Sequence, residues 1–156
     1  MTKQIRIFLA DDDAVFRESL RALLDAEPEF PVCGEAGDGG AVLKLVPELK
    51  PDLLLLSLSL RVMDGIEVLR TLSSKAVGVR KIILSAQVDW PDATEALRLG
   101  AQGIVLKDAS PDLLFKSIRT VMAGEYWISH ACVPHLLQAI NSTSAKRTSS
   151  LLSARE

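Results

Sequence analysis

Short runs of apolar residues alternate along this chain with segments whose apolar positions recur every three to four residues. Each short run is typical of a buried β-strand, and each periodic segment is typical of an amphipathic helix. The runs lie at residues 5–10, 31–35, 53–56, 81–84 and 103–106. Because the third run is apolar at every position, it is expected to be a central strand that is covered on both faces.

The helical segments between the runs carry recognisable start and stop signals. Gly100 follows the periodic segment 91–99, where a helix is expected to end, and Ser110-Pro111 are an N-cap and a first-turn proline. Five strands that alternate with five helices predict an α/β fold, with one parallel sheet and helices on both faces. We expect a doubly wound, flavodoxin-like sheet with strand order 2-1-3-4-5.

Composition and charge exclude several classes of protein. The 156 residues are 48% hydrophobic and 24% charged, as in globular domains, and no apolar run approaches the roughly 18 residues of a membrane span. The net charge of −2 leaves no basic footprint for nucleic acid. Cys33 and Cys132 have neither disulfide-framework nor metal-ligand spacing, and His130 and His135 are interpreted as solvated. A cytoplasmic protein with reduced thiols is expected.

Polar side chains follow four of the apolar runs. Asp11 and Asp12 follow the first run, Ser57 the third, Ser85 the fourth and Lys107 the fifth. The carboxyl ends of parallel strands share one edge of the sheet, and ligands bind at that edge in doubly wound folds. The sequence therefore predicts a pocket in which acids, hydroxyls and one lysine meet.

This set of residues resembles the phosphorylation pocket of response-regulator receiver domains, the CheY-like family. In that family an acid pair and an acceptor aspartate hold magnesium, while a Ser or Thr and a lysine contact the acyl phosphate. The resemblance implies that Asp11 and Asp12 are the metal-binding acids, Ser85 the hydroxyl and Lys107 the lysine. The acceptor position is occupied by Ser57.

Three positions depart from the family's pattern. Ser57 replaces the acceptor aspartate, and a serine hydroxyl without an adjacent base is a poor nucleophile that adds no charge for a cation. Arg61 stands where the family usually has proline, and Ile104 stands at the switch position, where many receivers have Tyr or Phe. We expect no stable acyl phosphate, no required cofactor and at most a weak magnesium site, with Arg61 and Lys107 as the pocket's own cations.

The chain is divided into three regions. The resemblance implies that residues 1–124 are the receiver. Residues 125–141 are interpreted as a linker helix region, and 142–156 as a Ser- and Thr-rich flexible linker whose last residues resemble the start of a helix-turn-helix. The segments 107–114 and 124–129 resemble the NarL/FixJ branch of response regulators, which carries a LuxR-type helix-turn-helix. DNA binding is therefore expected only through a C-terminal module that this chain lacks.

The resulting interpretation is a regulatory receiver domain of a two-component, DNA-binding response regulator, and not an enzyme. Its control of transcription is expected to be independent of phosphorylation, because Ser57 replaces the acceptor. Two alternatives stay open. One is an ordinary Asp-phosphorylated receiver with an engineered change at position 57. The other is a flavodoxin-like enzyme or nucleotide-binding protein, although the sequence offers no nucleophile–base pair and no phosphate loop.

A homodimer is the expected assembly, and a histidine kinase or another regulatory protein is the expected partner. Phe115 lies beside the inner apolar stripe of the fifth helix, with Arg119 four residues further on. We predict that these two form a partly exposed contact patch. The alternative is that Phe115 packs under the linker helix. No membrane partner is expected.

Overall fold

The computed structural model describes residues 3–75, 78–87, 89–128, 133–138 and 141. The strands are β1 Ile7–Ala10, β2 Val32–Ala36, β3 Leu53–Ser57, β4 Arg80–Ser85, β5 Gly103–Leu106 and β6 Trp127–Ile128. The helices are α1 Ala14–Asp25, α2 Gly39–Leu49, α3 Gly65–Ser74, α4 Trp90–Arg98 and α5 Pro111–Met122. Residues 133–138 form a further short helix.

All pairs of neighbouring strands are parallel, and the sheet has the order β2-β1-β3-β4-β5-β6. The predicted order of the first five strands is confirmed. The count of five is wrong, because β6 extends the sheet beyond β5, with Gly103 opposite Trp127. Two residues are too few to show the alternation of a strand, and the sequence placed Trp127 only at the end of the fifth helix.

Two buried cores lie on opposite faces of the sheet. One contains Phe8, Leu54 and Ile83 and is covered by α2, α3 and α4. The other contains Leu55 and Ile82 and is covered by α1 and α5. Every residue of β3 is buried, as its uninterrupted apolar run predicted. Each such leucine stabilises the fold by roughly 1.5–3 kcal/mol relative to an exposed side chain.

The helix N-termini bring carboxylates to one edge of the sheet. Asp13, Asp64 and Asp89 cap α1, α3 and α4, and each accepts hydrogen bonds from backbone N–H groups of the first turn. These helices all begin just after a strand, at the carboxyl edge where the sequence predicts the pocket. Part of the acidity at this edge therefore serves to start helices.

The helix at residues 133–138 falls within the region predicted as a linker helix. Leu136 is buried in the same core as α4, and the ring of His135 stacks on Trp90. His135 is thus not simply solvated, although the residue as a whole is exposed. Cys132, His130 and the predicted linker 142–156 lie outside the described residues. No helix in the described part of the chain is long and apolar enough to cross a membrane.

Candidate functional site

The loops that follow β1, β3, β4 and β5 enclose a cleft of about 540 Å³ at the carboxyl edge of the sheet. Asp12, Ser57, Ser85 and Lys107 all line it, so the structure brings these four predicted residues together. Asp11 is buried beside the cleft and contacts Lys107. The site is therefore the pocket that the strand-end pattern predicts.

The strongest charge contact of the site joins Lys107 to Asp11. Lys107 Nζ lies 2.6 Å from Asp11 Oδ2, and the two side chains are 18% and 6% exposed. The backbone N–H of Asp13 donates to Asp11 Oδ1 at 2.9 Å. Asp11 Oδ2 is buried and accepts no aligned hydrogen bond, so the lysine ammonium is its partner by charge. Solvent screens such a pair much less than it screens a surface pair.

An aromatic ring also holds the Lys107 ammonium. Lys107 Nζ lies 4.5 Å from the ring centroid of Phe16, in the first turns of α1, which is a cation–π distance. The sequence pattern places Phe16 on the inner stripe of a helix, and nothing in that pattern distinguishes it from other core residues. The ammonium therefore has two partners, one on the loop after β1 and one on α1.

The Ser57 hydroxyl lines the cleft, and none of the residues that the structure describes activates it. Ser57 is 3% exposed, and its Oγ accepts a hydrogen bond from the backbone N–H of Ser59 at 3.2 Å. The Ser59 hydroxyl in turn donates to Asp12 Oδ2 at 3.4 Å. Among the described residues, no carboxylate or imidazole is hydrogen-bonded to Ser57. The serine thus lacks the adjacent base that a hydroxyl nucleophile needs.

The wall of the cleft formed by the β4–α4 segment is acidic. Asp89 and Asp92 line it, and Ser85 Oγ donates to the carbonyl of Gln87 within the same segment. Burial raises the pKa of Asp92, and the charges of Asp89 and Asp64 raise it further. The carboxylates of this wall face a cleft whose one lining cation, among the described residues, is Lys107.

The residues of the cleft fit a magnesium ion poorly. Magnesium needs several oxygen ligands in near-octahedral geometry and gives up its water reluctantly. Here Asp11 Oδ2 faces an ammonium at 2.6 Å, and Ser57 offers only a neutral hydroxyl. Within the described residues, no three His, Cys, Asp or Glu side chains are grouped as metal ligands. Lys107 stands where a cation would neutralise Asp11.

Arg61, the second expected pocket cation, does not reach the cleft. Its side chain is exposed and forms no ion pair with the described residues, and its carbonyl accepts from the N–H of Gly39 at 3.1 Å. Val62 follows in the left-handed region at φ 69° and is exposed. A Cβ on Gly39 would meet the Met63 carbonyl at 2.6 Å, so the glycine permits this docking. The Arg61 end of this loop is thus bound to the start of α2, while Ser59, nearer to β3, is the loop residue that contacts Asp12.

Ile104, at the predicted switch position, is 2% exposed and lies in the core beneath α4. It pairs across the sheet with Ile83 of β4 and Ile128 of β6. An aliphatic side chain enclosed in this way has no polar group to move toward the cleft. Its role as a switch stays a prediction.

The predicted exposure of Phe115 is wrong. Phe115 is 8% exposed, and its side chain packs from α5 into the core that α1 and α5 cover. Its ring centroid lies 5.3 Å from that of Phe30. The linker-helix alternative is also wrong, because Leu136 belongs to the core on the other face. Arg119 is half exposed and binds Glu29 within the chain, with Nη2 2.8 Å from Oε2. This hydrogen-bonded pair lowers the pKa of Glu29.

Arg17 is a site residue that the sequence pattern does not reveal. Its Nη1 donates to the backbone carbonyl of Asp11, and its Nε lies 3.4 Å from Glu35 Oε1. Glu35 also binds Arg21, and this hydrogen bond is the main cause of its lowered pKa. Arg17 therefore fixes the backbone of the acid loop, a role that depends on tertiary proximity and has no local signal.

The comparison with protein families decides the class of the chain. A family model described as the response regulator receiver domain matches residues 7–119. This chain belongs to the response-regulator receiver family. The prediction of a regulatory receiver, and not of an enzyme, is confirmed by this match.

Relatives and a solved structure agree with the family. The nitrate/nitrite response regulator protein NarL of Escherichia coli K12 is 34% identical over 152 residues, which are 96% of this chain and 70% of NarL. The DNA-binding transcriptional activator DevR/DosR of Mycobacterium tuberculosis is 32% identical over 143 residues, which are 92% and 66% of the two chains. A LuxR-family two-component response regulator from Aurantimonas sp. SI85-9A1 superposes with a TM-score of 0.80 at 29% identity, over 87% of this chain and 97% of that one. The CheY-like fold is therefore confirmed.

Proposed function

We propose that this receiver takes part in transcription regulation within a NarL/LuxR-type response regulator, and that it acts without phosphorylation at position 57. Relatives of similar sequence are a nitrate/nitrite response regulator and a DNA-binding transcriptional activator, which supports the first half of the proposal. Contact with DNA would then need a part of such a protein other than the receiver. A homodimer and a histidine kinase are the proposed partners.

The ion pair between Lys107 and Asp11 is the observation that carries the second half of the proposal. The attraction of two opposite charges at such a distance is on the order of a few kcal/mol at intermediate dielectric, before the cost of desolvation is subtracted. A magnesium ion would have to displace this ammonium and would gain no anionic ligand from Ser57. The pocket therefore carries its positive charge on its own lysine.

The chemistry at position 57 supports the same conclusion. An acyl phosphate forms on a carboxylate, and Ser57 could form only a phosphate ester, after a base had removed its proton. The hydroxyl instead accepts the N–H of Ser59 and lies next to no described base. The pocket is thus arranged to hold one conformation by internal contacts, and regulation proceeds through protein–protein contacts.

Mass spectrometry of the intact protein tests the proposal. After incubation with acetyl phosphate and magnesium, we expect no added phosphate in the chain as it stands. The variant Ser57→Asp is the matched control, and we expect it to gain phosphate only in part, because Lys107 still occupies Asp11. A phosphate added to the unaltered chain and mapped to Ser57 would contradict the proposal. Complete phosphorylation of Ser57→Asp would show that the rest of the pocket is that of an ordinary receiver.

A further inference from the structure

The helix formed by residues 133–138, called here the docked helix, is seated on α4. Its Leu136 is 7% exposed and belongs to the same buried cluster as Ala93 and Ala96 of α4. The ring of His135 stacks on Trp90, with centroids 4.5 Å apart and planes 7° apart. Leu137 on the same short helix is 55% exposed. One face of the docked helix is therefore buried and the other faces solvent.

α4 buries smaller side chains than α5 does. The buried side chains of α4 are the small ones of Ala93, Thr94 and Ala96, whereas α5 buries Leu114, Phe115, Ile118 and Val121. Small side chains remove little apolar surface from water, so they contribute little to holding a helix on the sheet. Leu136 supplies a large apolar side chain to this same cluster. Trp90 and Leu97 of α4 also pack against this cluster, and the docked helix adds Leu136 to them.

The same helix α4 also borders the cleft. Asp89, its N-cap, and Asp92, in its first turn, line the cleft, and the N–H of Asp92 donates to Asp89 Oδ1 at 3.1 Å. Trp90 directly follows Asp89, and its ring stacks on the ring of His135. The first turn of α4 therefore touches the cleft through its acids and the docked helix through its indole.

We propose that the docked helix holds α4 in its position beside the cleft, so that release of the docked helix and loosening of α4 are one event. Coupling between two sites is reciprocal, so a change that loosens α4 at the cleft must also weaken the seating of residues 133–138. Any part of a longer protein that follows residue 138 would sense the cleft through this contact. The proposal rests on the packing of α4 and holds whether or not position 57 is phosphorylated.

Amide hydrogen exchange followed by NMR tests the first half of the proposal. The variant Leu136→Ala removes the buried side chain, and Leu137→Ala removes an equal volume from the exposed face. We expect Leu136→Ala to speed exchange in residues 94–98 by at least about tenfold, and Leu137→Ala by no more than about twofold. Residues 115–122 of α5 are the internal reference and should keep their rates. Equal effects of the two variants, or equal acceleration of α4 and α5, would overturn the proposal.

The reciprocal measurement starts at the cleft. Asp89→Ala removes the N-cap of α4, and Asp64→Ala removes the corresponding N-cap of α3, which leaves the docked helix untouched. We expect Asp89→Ala to move the ring-proton signals of His135 toward those of a free histidine, because the ring leaves the face of Trp90. Asp64→Ala should leave these signals in place. If both variants shift them equally, or neither does, α4 and the docked helix are not coupled.

Discussion

Two ion pairs of this protein join elements far apart in sequence, and their surroundings differ. Lys107 and Asp11 meet beside the cleft with side chains that are 18% and 6% exposed, whereas Arg119 and Glu29 meet on the outside of α5 with side chains that are 52% and 22% exposed. Both have short distances, of 2.6 and 2.8 Å. The two distances therefore do not show which pair contributes more to stability. The difference in burial does.

Among the residues that the structure describes, Lys107 is the one cation paired with the Asp11 carboxylate. If the ammonium leaves, Asp11 keeps a buried charge with only one backbone hydrogen bond, from Asp13. The carboxylate of Glu29 can instead turn to water when its arginine is removed. Loss of the lysine would therefore leave an uncompensated charge in the pocket, whereas the outer pair adds only a small stabilisation.

The largest effect is expected for Lys107→Ala. Removal of the lysine leaves Asp11 buried without its counter-charge, and we expect the free energy of unfolding to fall by about 2–4 kcal/mol in urea titrations. The double variant Lys107→Ala with Asp11→Asn is the control, because it removes both charges and should recover much of the loss. A loss below that of an ordinary surface pair would mean that the pair is not effectively buried.

A smaller effect is expected for Phe16→Leu. The leucine keeps an apolar side chain on α1 but has no ring face for the Lys107 ammonium, so we expect a loss of about 1 kcal/mol in the same titration. Leu23→Ala tests ordinary packing on the same helix face. If Phe16→Leu costs the same in the Lys107→Ala background as in the unaltered chain, the ring does not act through the lysine.

Arg119→Ala should cost at most about 1 kcal/mol, because solvent screens a half-exposed pair. The hydrogen bond from Arg119 lowers the pKa of Glu29 below its ordinary value, so the pair stabilises the fold at pH values above the ordinary range of a carboxyl. This contribution disappears as the pH falls through the lowered pKa of Glu29. Unfolding curves of both proteins from neutral to acidic pH should therefore converge at low pH. A difference that persists there would have to come from packing on Phe30.

The smallest effect is expected for Asp92→Asn on the acidic wall. Burial and the charges of Asp89 and Asp64 raise the pKa of Asp92, so its ionised form opposes folding. This loss of stability is fully present at pH values above the raised pKa of Asp92. It disappears at pH values below the ordinary pKa of an aspartate, where Asp92 is protonated in both the folded and the unfolded state. The variant should thus be slightly more stable than the parent at neutral pH and equal to it in acid. Lower stability at neutral pH would show that the carboxylate has a favourable partner.

The fold and the position of the pocket are predictable because both follow from strand ends. The uninterrupted run Leu53–Leu56 identifies a central strand. The apolar run Gly103–Leu106 predicts a strand with the same bounds that the structure shows. Once the strands are known, parallel pairing brings the residues that follow them to one edge. This is why Asp12, Ser57 and Lys107 are found in one cleft.

Side-chain direction and partners across the fold were not predictable in the same way. Arg61 is exposed beside the left-handed Val62, and its carbonyl accepts a hydrogen bond from Gly39. The burial of Phe115 depends on Phe30, which lies in a loop and has no periodic signal. Such contacts join residues that are distant in sequence, and a helical or strand period carries no information about them.

The central claim is that Lys107 occupies the place of a cation at Asp11. A magnesium titration of the unaltered chain, followed by the amide shifts of residues 11–13 and 57–61, tests it most directly. We predict small, non-saturating shifts through the millimolar range, and saturable binding only after Lys107→Ala frees the carboxylate. Saturable binding by the unaltered chain with a submillimolar midpoint would contradict the claim and show a working metal pocket.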